Sequence, residues 1–251
     1  MLTSADHRDR YNSLPSVFAA STLLKEHPDF MAILQQLGSI ISSAKLEKFL
    51  TIRLLHNHHT LSDGEAMVQR LESFNGAPCL ATVKVVQAEI TEHCTPAIWR
   101  CLGDGQIEPL EFGYASLYPI PEDFYQRHQP VFARFAKMAE KFGLSGVLGL
   151  GLRSHALDFD PACEVLAEFT GDDRDILIKC AVNDLIGLPE SVDTAWSGGE
   201  AWPWTRCHSC VKSSDDPQTG LPRHSREDWM HERRKDEKED KKDGDTTKSK
   251  N

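Results

Sequence analysis

The chain has 251 residues, seven of them cysteine, and a formal charge of −10 at pH 7. That length suits one large domain or two small ones, and the ordinary share of aliphatic and aromatic residues supports a real core. No apolar run approaches the roughly 20 residues that cross a bilayer, and Met1 to Arg10 lacks the apolar stretch of a secretory signal; a soluble intracellular protein, cytoplasmic or nuclear, is therefore expected.

An odd number of cysteines scattered through apolar segments argues against a disulfide framework. Residues 232–251 carry eight Lys/Arg and seven Asp/Glu, so the acidity resides in the preceding part of the chain. An acidic globule repels phosphate backbones, which argues against nucleic-acid binding and leaves a protein as the expected macromolecular partner.

Residues 1–14 read as a flexible arm. From Pro28 to Ile41, Phe30, Ile33, Leu34, Leu37 and Ile41 recur at three- and four-residue spacing, which predicts a helix with Pro28 in its first turn. Phe49 to Leu55 reads as a strand, and His59 to Gly64 as a loop. Glu65 to Leu71 suits a short helix or a strand, and Thr82 to Val86 a strand. Ile98 to Leu102 and Ile107 to Phe112 flank Gly103-Asp104-Gly105, a hairpin signal. Val131, Phe132, Phe135, Met138 and Phe142 form one stripe, predicting a second helix over 130–142 with Pro130 at its start and Gly143 past its end.

Val147 to Leu152, Cys163 to Phe169 and Ile176 to Cys180 read as further strands, with a turn at Gly171-Asp172-Asp173. Beyond Lys212 the chain is too polar to offset the entropy of ordering. The expected architecture is α+β: a mostly antiparallel sheet of about five to seven strands packed with one or two main helices. The single domain is placed at 15–205, with a disordered charged tail at 206–251.

The segment Leu55-His56-Asn57-His58-His59-Thr60-Leu61-Ser62-Asp63-Gly64 carries the most chemistry. Alternate histidines at a strand end present two imidazoles to one side. With His93 and carboxylates such as Asp63 or Glu92, His56 and His58 are candidate ligands for a divalent metal that activates water. Ordinary hydrogen-bonded histidines are the competing reading. Cys207 and Cys210, in Cys-His-Ser-Cys, form half of a zinc site, which His208, His224 or His231 would have to complete. Gly149 and Gly151 lack the rest of a dinucleotide fingerprint and read as close-packing or bulge positions in a strand. Glu108, Glu111, Glu164 and Glu168 are expected on exposed strand faces.

The histidine segment and Glu89-Ile90-Thr91-Glu92-His93 together resemble the first two motifs of the PHP-type phosphoesterases, Asp-x-His-x-His followed by Ser-Asp-Gly, then Thr-Asp-His. Leu54 and Glu92 stand where that family has aspartates. The resemblance implies metal ligation by His56, His58 and His93 in a barrel of alternating strands and helices.

The run Phe49 to Val68, Trp99 with Glu108 to Phe112, Phe142 to Leu152, and Glu164 to Thr170 are similar, in that order, to a group of uncharacterised fungal proteins. Those proteins share a Leu-Leu-His-x-His segment followed by Gly-Glu and a later Glu-Phe pair, and the similarity implies no known activity or cofactor. The sequence thus leads to a non-catalytic fungal-type domain acting through protein contacts. A metal-dependent hydrolase, or a small-molecule enzyme or ligand carrier with a pocket on the sheet, stands beside it.

Overall fold

The computed structural model describes residues 4–74, 77–86, 94–102, 104–118, 120–153, 165–170, 174–181, 191–198, 205–211, 214–215 and 222–223, with the backbone alone at 4–5, 71–74, 77–86, 116, 165–167, 169–170, 175, 177, 179–181, 191, 205–211, 214–215 and 222–223. Three helices come first: α1 (Ser4–Asn12), α2 (Val17–Lys25) and α3 (Phe30–Ser43). Residues 4–12, expected as part of a flexible arm, are instead helical. The segment is polar on average, but residues four apart share a helix face, and His7 and Tyr11 on that face are 1% and 0% exposed. Two anchoring side chains thus hold a helix that mean hydropathy does not reveal.

α3 buries Ile33, Leu34, Leu37 and Ile41 of the predicted stripe together with Gly38 and Ile40, leaves Phe30 half-buried, and begins after Pro28 rather than holding it in its first turn. The fourth helix, α4, runs Phe124–Lys141, so Pro130 lies inside it rather than at its start. Proline there removes the amide that would bond the carbonyl of Gln126. The helix persists because Phe124, Phe132, Phe135, Ala136 and Ala139 are buried along one stripe. Each large side chain buried this way contributes about 1.5–3 kcal/mol. Past the helix, Gly143 takes φ +69 and its amide bonds the carbonyl of Glu140.

Ten strands follow a closed ring in the order β1-β6-β4-β5-β2-β3-β8-β7-β10-β9. They are β1 (Leu50–Leu54), β2 (Glu65–Phe74), β3 (Ala77–Val86), β4 (Cys94–Cys101), β5 (Ile107–Tyr114), β6 (Leu148–Leu152), β7 (Val165–Thr170), β8 (Asp175–Ala181), β9 (Ser191–Ser197) and β10 (Thr205–Val211). β2 pairs with β5 and β7 with β10 in parallel; every other neighbouring pair is antiparallel. The class is α+β with mostly antiparallel pairing, and the sheet curls until β9 meets β1.

β10 carries the barrel past residue 205, where the sequence places the domain's end. A separate ladder pairs Ser214–Asp215 with Pro222–Arg223. The charged segment from 224 onward and the Gly171–Asp173 turn lie outside the described residues. β1 to β5 succeed one another with no helix between them among the described residues, unlike the alternation the PHP-type resemblance implies.

The ambiguous 65–71 segment is a strand, and the Asp-Gly hairpin joins β4 to β5. Gly105 adopts φ +88 there, and a Cβ on it would lie 2.8 Å from the Ala133 methyl of α4. The helices cover the outside of the ring: α3 packs on β1 and on α4, α4 on β4, and α2 on β1 and β9. Trp99, fully buried, meets the rings of Tyr125 and Phe132 at 5.0 and 5.9 Å. Among the described residues no helix is long and apolar enough to cross a membrane.

Candidate metal centre inside the barrel

β1 is buried along its whole length. Strand alternation puts Leu50, Ile52 and Leu54 on one face, and Thr51 and Arg53 on the other. Arg53 reaches Glu168 of β7, Nη2 to Oε1 at 3.3 Å. β9 and β10 separate β1 from β7 in the ring, so this contact crosses the lumen. The room for it comes from β6. Gly149 and Gly151 pair with Arg53 and Thr51, and a Cβ on Gly151 would lie 2.7 Å from Arg53 Cγ. Both glycines are therefore close-packing positions in a strand, as the sequence suggests.

Just past β1 the chain turns, and His56 and His58 project together. His56 Nδ1 lies 2.8 Å from the carbonyl oxygen of Leu54, and its Nε2 lies 2.9 Å from His58 Nε2. A carbonyl only accepts, so Nδ1 of His56 carries the proton and Nε2 keeps its lone pair. Burial holds the His56 pKa below its ordinary value against the opposing pull of Glu168. The ring is therefore neutral at pH 7, the form that binds metal.

Glu168 completes the group. One ligand atom each from His56, His58 and Glu168 lie within 4.8 Å of one another. Glu168 Oε2 accepts the Thr194 hydroxyl at 3.2 Å and stands 3.9 Å from His58 Nε2. Arg53 and Thr194 thus fix the carboxylate, and the Leu54 carbonyl fixes an imidazole. Such outer partners set ligand orientation in metal sites.

A second carboxyl shares the same space. Glu111 Oε2 accepts from Gln69 Nε2 at 2.9 Å, and Gln69 Oε1 accepts the Tyr118 hydroxyl. Burial pushes the Glu111 carboxyl up to about 7, against the opposing effects of Gln69 and Arg53. The β4–β5 ladder shifts register on both sides of Ile98, and consecutive residues Leu110 and Glu111 both face the cavity. Arg53, His56, His58, Gln69, Glu111 and Glu168 line this space of about 20 Å³, about one water's worth of room.

The sequence brings forward two of these three donors. Glu111 and Glu168, expected on exposed faces, are 7% and 2% exposed, because ring closure buries the inner face as well as the outer. Glu108 fits the exposed expectation better: it is partly exposed and pairs with Arg100 at 3.5 Å. Asp63 points away from the centre and pairs with Arg8. His59 is buried in the loop outside the convergent triplet.

His93, Glu92, Glu164, His224 and His231 lie outside the described residues. Cys207 and Cys210 fall on β10, whose backbone alone is described. Sequence reasoning missed Glu168, Arg53, Gln69 and Glu111 as site residues. The available signal was a lone charged or amide residue inside an apolar strand, since such groups are rarely buried without partners.

Compared with known proteins, the chain matches no family model, and no curated protein or solved structure matches it.

Proposed function

We propose that this protein is a metal-dependent hydrolase whose ion is held inside the barrel by His56, His58 and Glu168. The observation that carries this reading is the convergence of two imidazole nitrogens and one carboxylate oxygen within 4.8 Å. Two imidazoles and a carboxylate suit zinc, and three protein ligands leave a coordination position for water, as catalytic rather than structural zinc sites do.

An ion held there would lower the pKa of a coordinated water toward neutral pH. Glu111 lines the same cavity outside the ligand triplet and is the candidate base for that water. In a hydrolysis supported by such an ion, Glu111 would take the water's proton and pass it to the leaving group as the bond to that group breaks. Burial raises the Glu111 carboxyl to about 7 in the metal-free protein, and a divalent ion in the same cavity would pull it back down.

Zinc-supplemented full-length protein is expected to hydrolyse p-nitrophenyl acetate, and His56→Ala with His58→Ala to abolish the zinc-dependent rate. An equal zinc-dependent rate in that double variant defeats the reading and returns the protein to the non-catalytic class acting through protein contacts.

A further inference from the structure

The loop that carries both histidines is fastened by a helix from outside the sheet. Tyr11 of α1 is fully buried, and its hydroxyl oxygen accepts the backbone amide of His58 at 3.3 Å. The next residue, Asn12, bonds both backbone groups of Leu61: Nδ2 donates to the carbonyl at 2.9 Å and Oδ1 accepts the amide at 2.8 Å. Arg8, one turn before Asn12, pairs with Asp63.

Just past the helix, the Pro15 carbonyl accepts the amide of Asn57 at 3.0 Å, and Leu14 contributes to the cavity wall. Consecutive turns of α1 thus hold residues 58, 61 and 63, and Pro15 holds residue 57, so that together they span the metal loop. From the opposite side, Arg174 donates to the Thr60 carbonyl and lies 3.3 Å from Glu65 Oε2.

We infer that α1 is the positioning element of the metal centre, with Tyr11 and Asn12 as positioning residues that set where His58 stands relative to His56 and Glu168. Neither side chain is one of the three convergent ligands. Tyr11 fixes the backbone from which the His58 ring projects, and Asn12 fixes the loop three residues further on. A strand end leaves its last residues without ladder partners, so a loop there holds two imidazoles in register only if other groups satisfy its backbone. α1 and Pro15 supply those groups.

This inference rests on the metal-site reading above. The test is cobalt(II) titration of the full-length protein, followed by the visible absorption of the bound ion, for wild type, Tyr11→Phe and Asn12→Ala. Melting of the metal-free proteins is measured in parallel. Both variants are expected to fold, to bind cobalt roughly 10–100-fold more weakly, as removal of outer-shell partners does elsewhere, and to show an altered cobalt spectrum.

Wild-type affinity and spectrum in both variants, whatever their melting temperatures, would overturn the inference and leave the metal site intact. Failure of wild type to bind cobalt would sink the metal-site reading and this inference with it.

Discussion

Arg53 and Glu168, 115 residues apart in the chain, meet across the barrel lumen at 3.3 Å, with side chains 11% and 3% exposed. A buried pair of this kind is weak evidence for net stability, yet removing one partner strands the other charge. Arg53→Met is therefore expected to lower metal-free stability by about 3–5 kcal/mol in urea unfolding. Arg53→Met with Glu168→Gln, which removes both charges, should lose much less. Saturating zinc should restore part of the single variant's loss, because the ion supplies the missing positive charge. Equal losses in the single and double variants would show that the two residues do not share a charge balance.

Glu111 gives stability a pH dependence with a definite sign. Its carboxyl titrates near 4.5 in the unfolded chain and about 7 when folded. The folded state therefore holds a proton across that window that the unfolded state has released. This contribution is fully present below about 4.5 and is lost as pH rises through about 7, in total on the order of 3 kcal/mol. Glu111→Gln keeps an acceptor for Gln69 and lacks the titration. Its stability relative to wild type should rise between pH 5 and pH 8 in metal-free protein, and a pH-independent difference would contradict the assignment.

Gly113 lies where a Cβ would run into the ring of Tyr118. Overpacking of this kind costs typically about 1–3 kcal/mol. Gly113→Ala should destabilise by that much and displace Tyr118 from Gln69. Combining it with Tyr118→Leu should recover part of the loss, and strict additivity in a double-mutant cycle would contradict the packing argument.

Pro130 is exposed within α4. Interior proline is about 3 kcal/mol less favourable than alanine in a helix. Pro130→Ala is therefore expected to raise the melting temperature without touching the barrel interior. An unchanged or lowered value would mean that the ring's fixed φ contributes more there than the lost amide removes.

How much of this was legible beforehand divides along physical lines. Local signals reported local structure. The Asp-Gly pair marked the β4–β5 hairpin, the phenylalanine spacing marked the α4 stripe, and the two glycines of β6 marked close packing. Non-local pairing was hidden. Nothing near Arg53 announces Glu168, and alternation along β1 does not tell whether the polar face meets solvent or a closed lumen. The paired histidines were visible because alternate residues at a strand end can face one side, whereas the contacts from Tyr11 and Pro15 that hold them there were not. Their carboxylate partner comes from the far side of the ring. α1 stayed hidden because two anchors, His7 and Tyr11, are diluted by polar neighbours.

The most direct test is the metal content of full-length protein, wild type against Glu168→Gln, after zinc loading and exhaustive desalting, with circular dichroism confirming that both are folded. The account predicts close to one equivalent of zinc in wild type and a loss of at least tenfold in affinity in Glu168→Gln, since a neutral amide is a poor replacement for the carboxylate ligand. Background zinc in wild type, or equal retention by the two proteins, would contradict it.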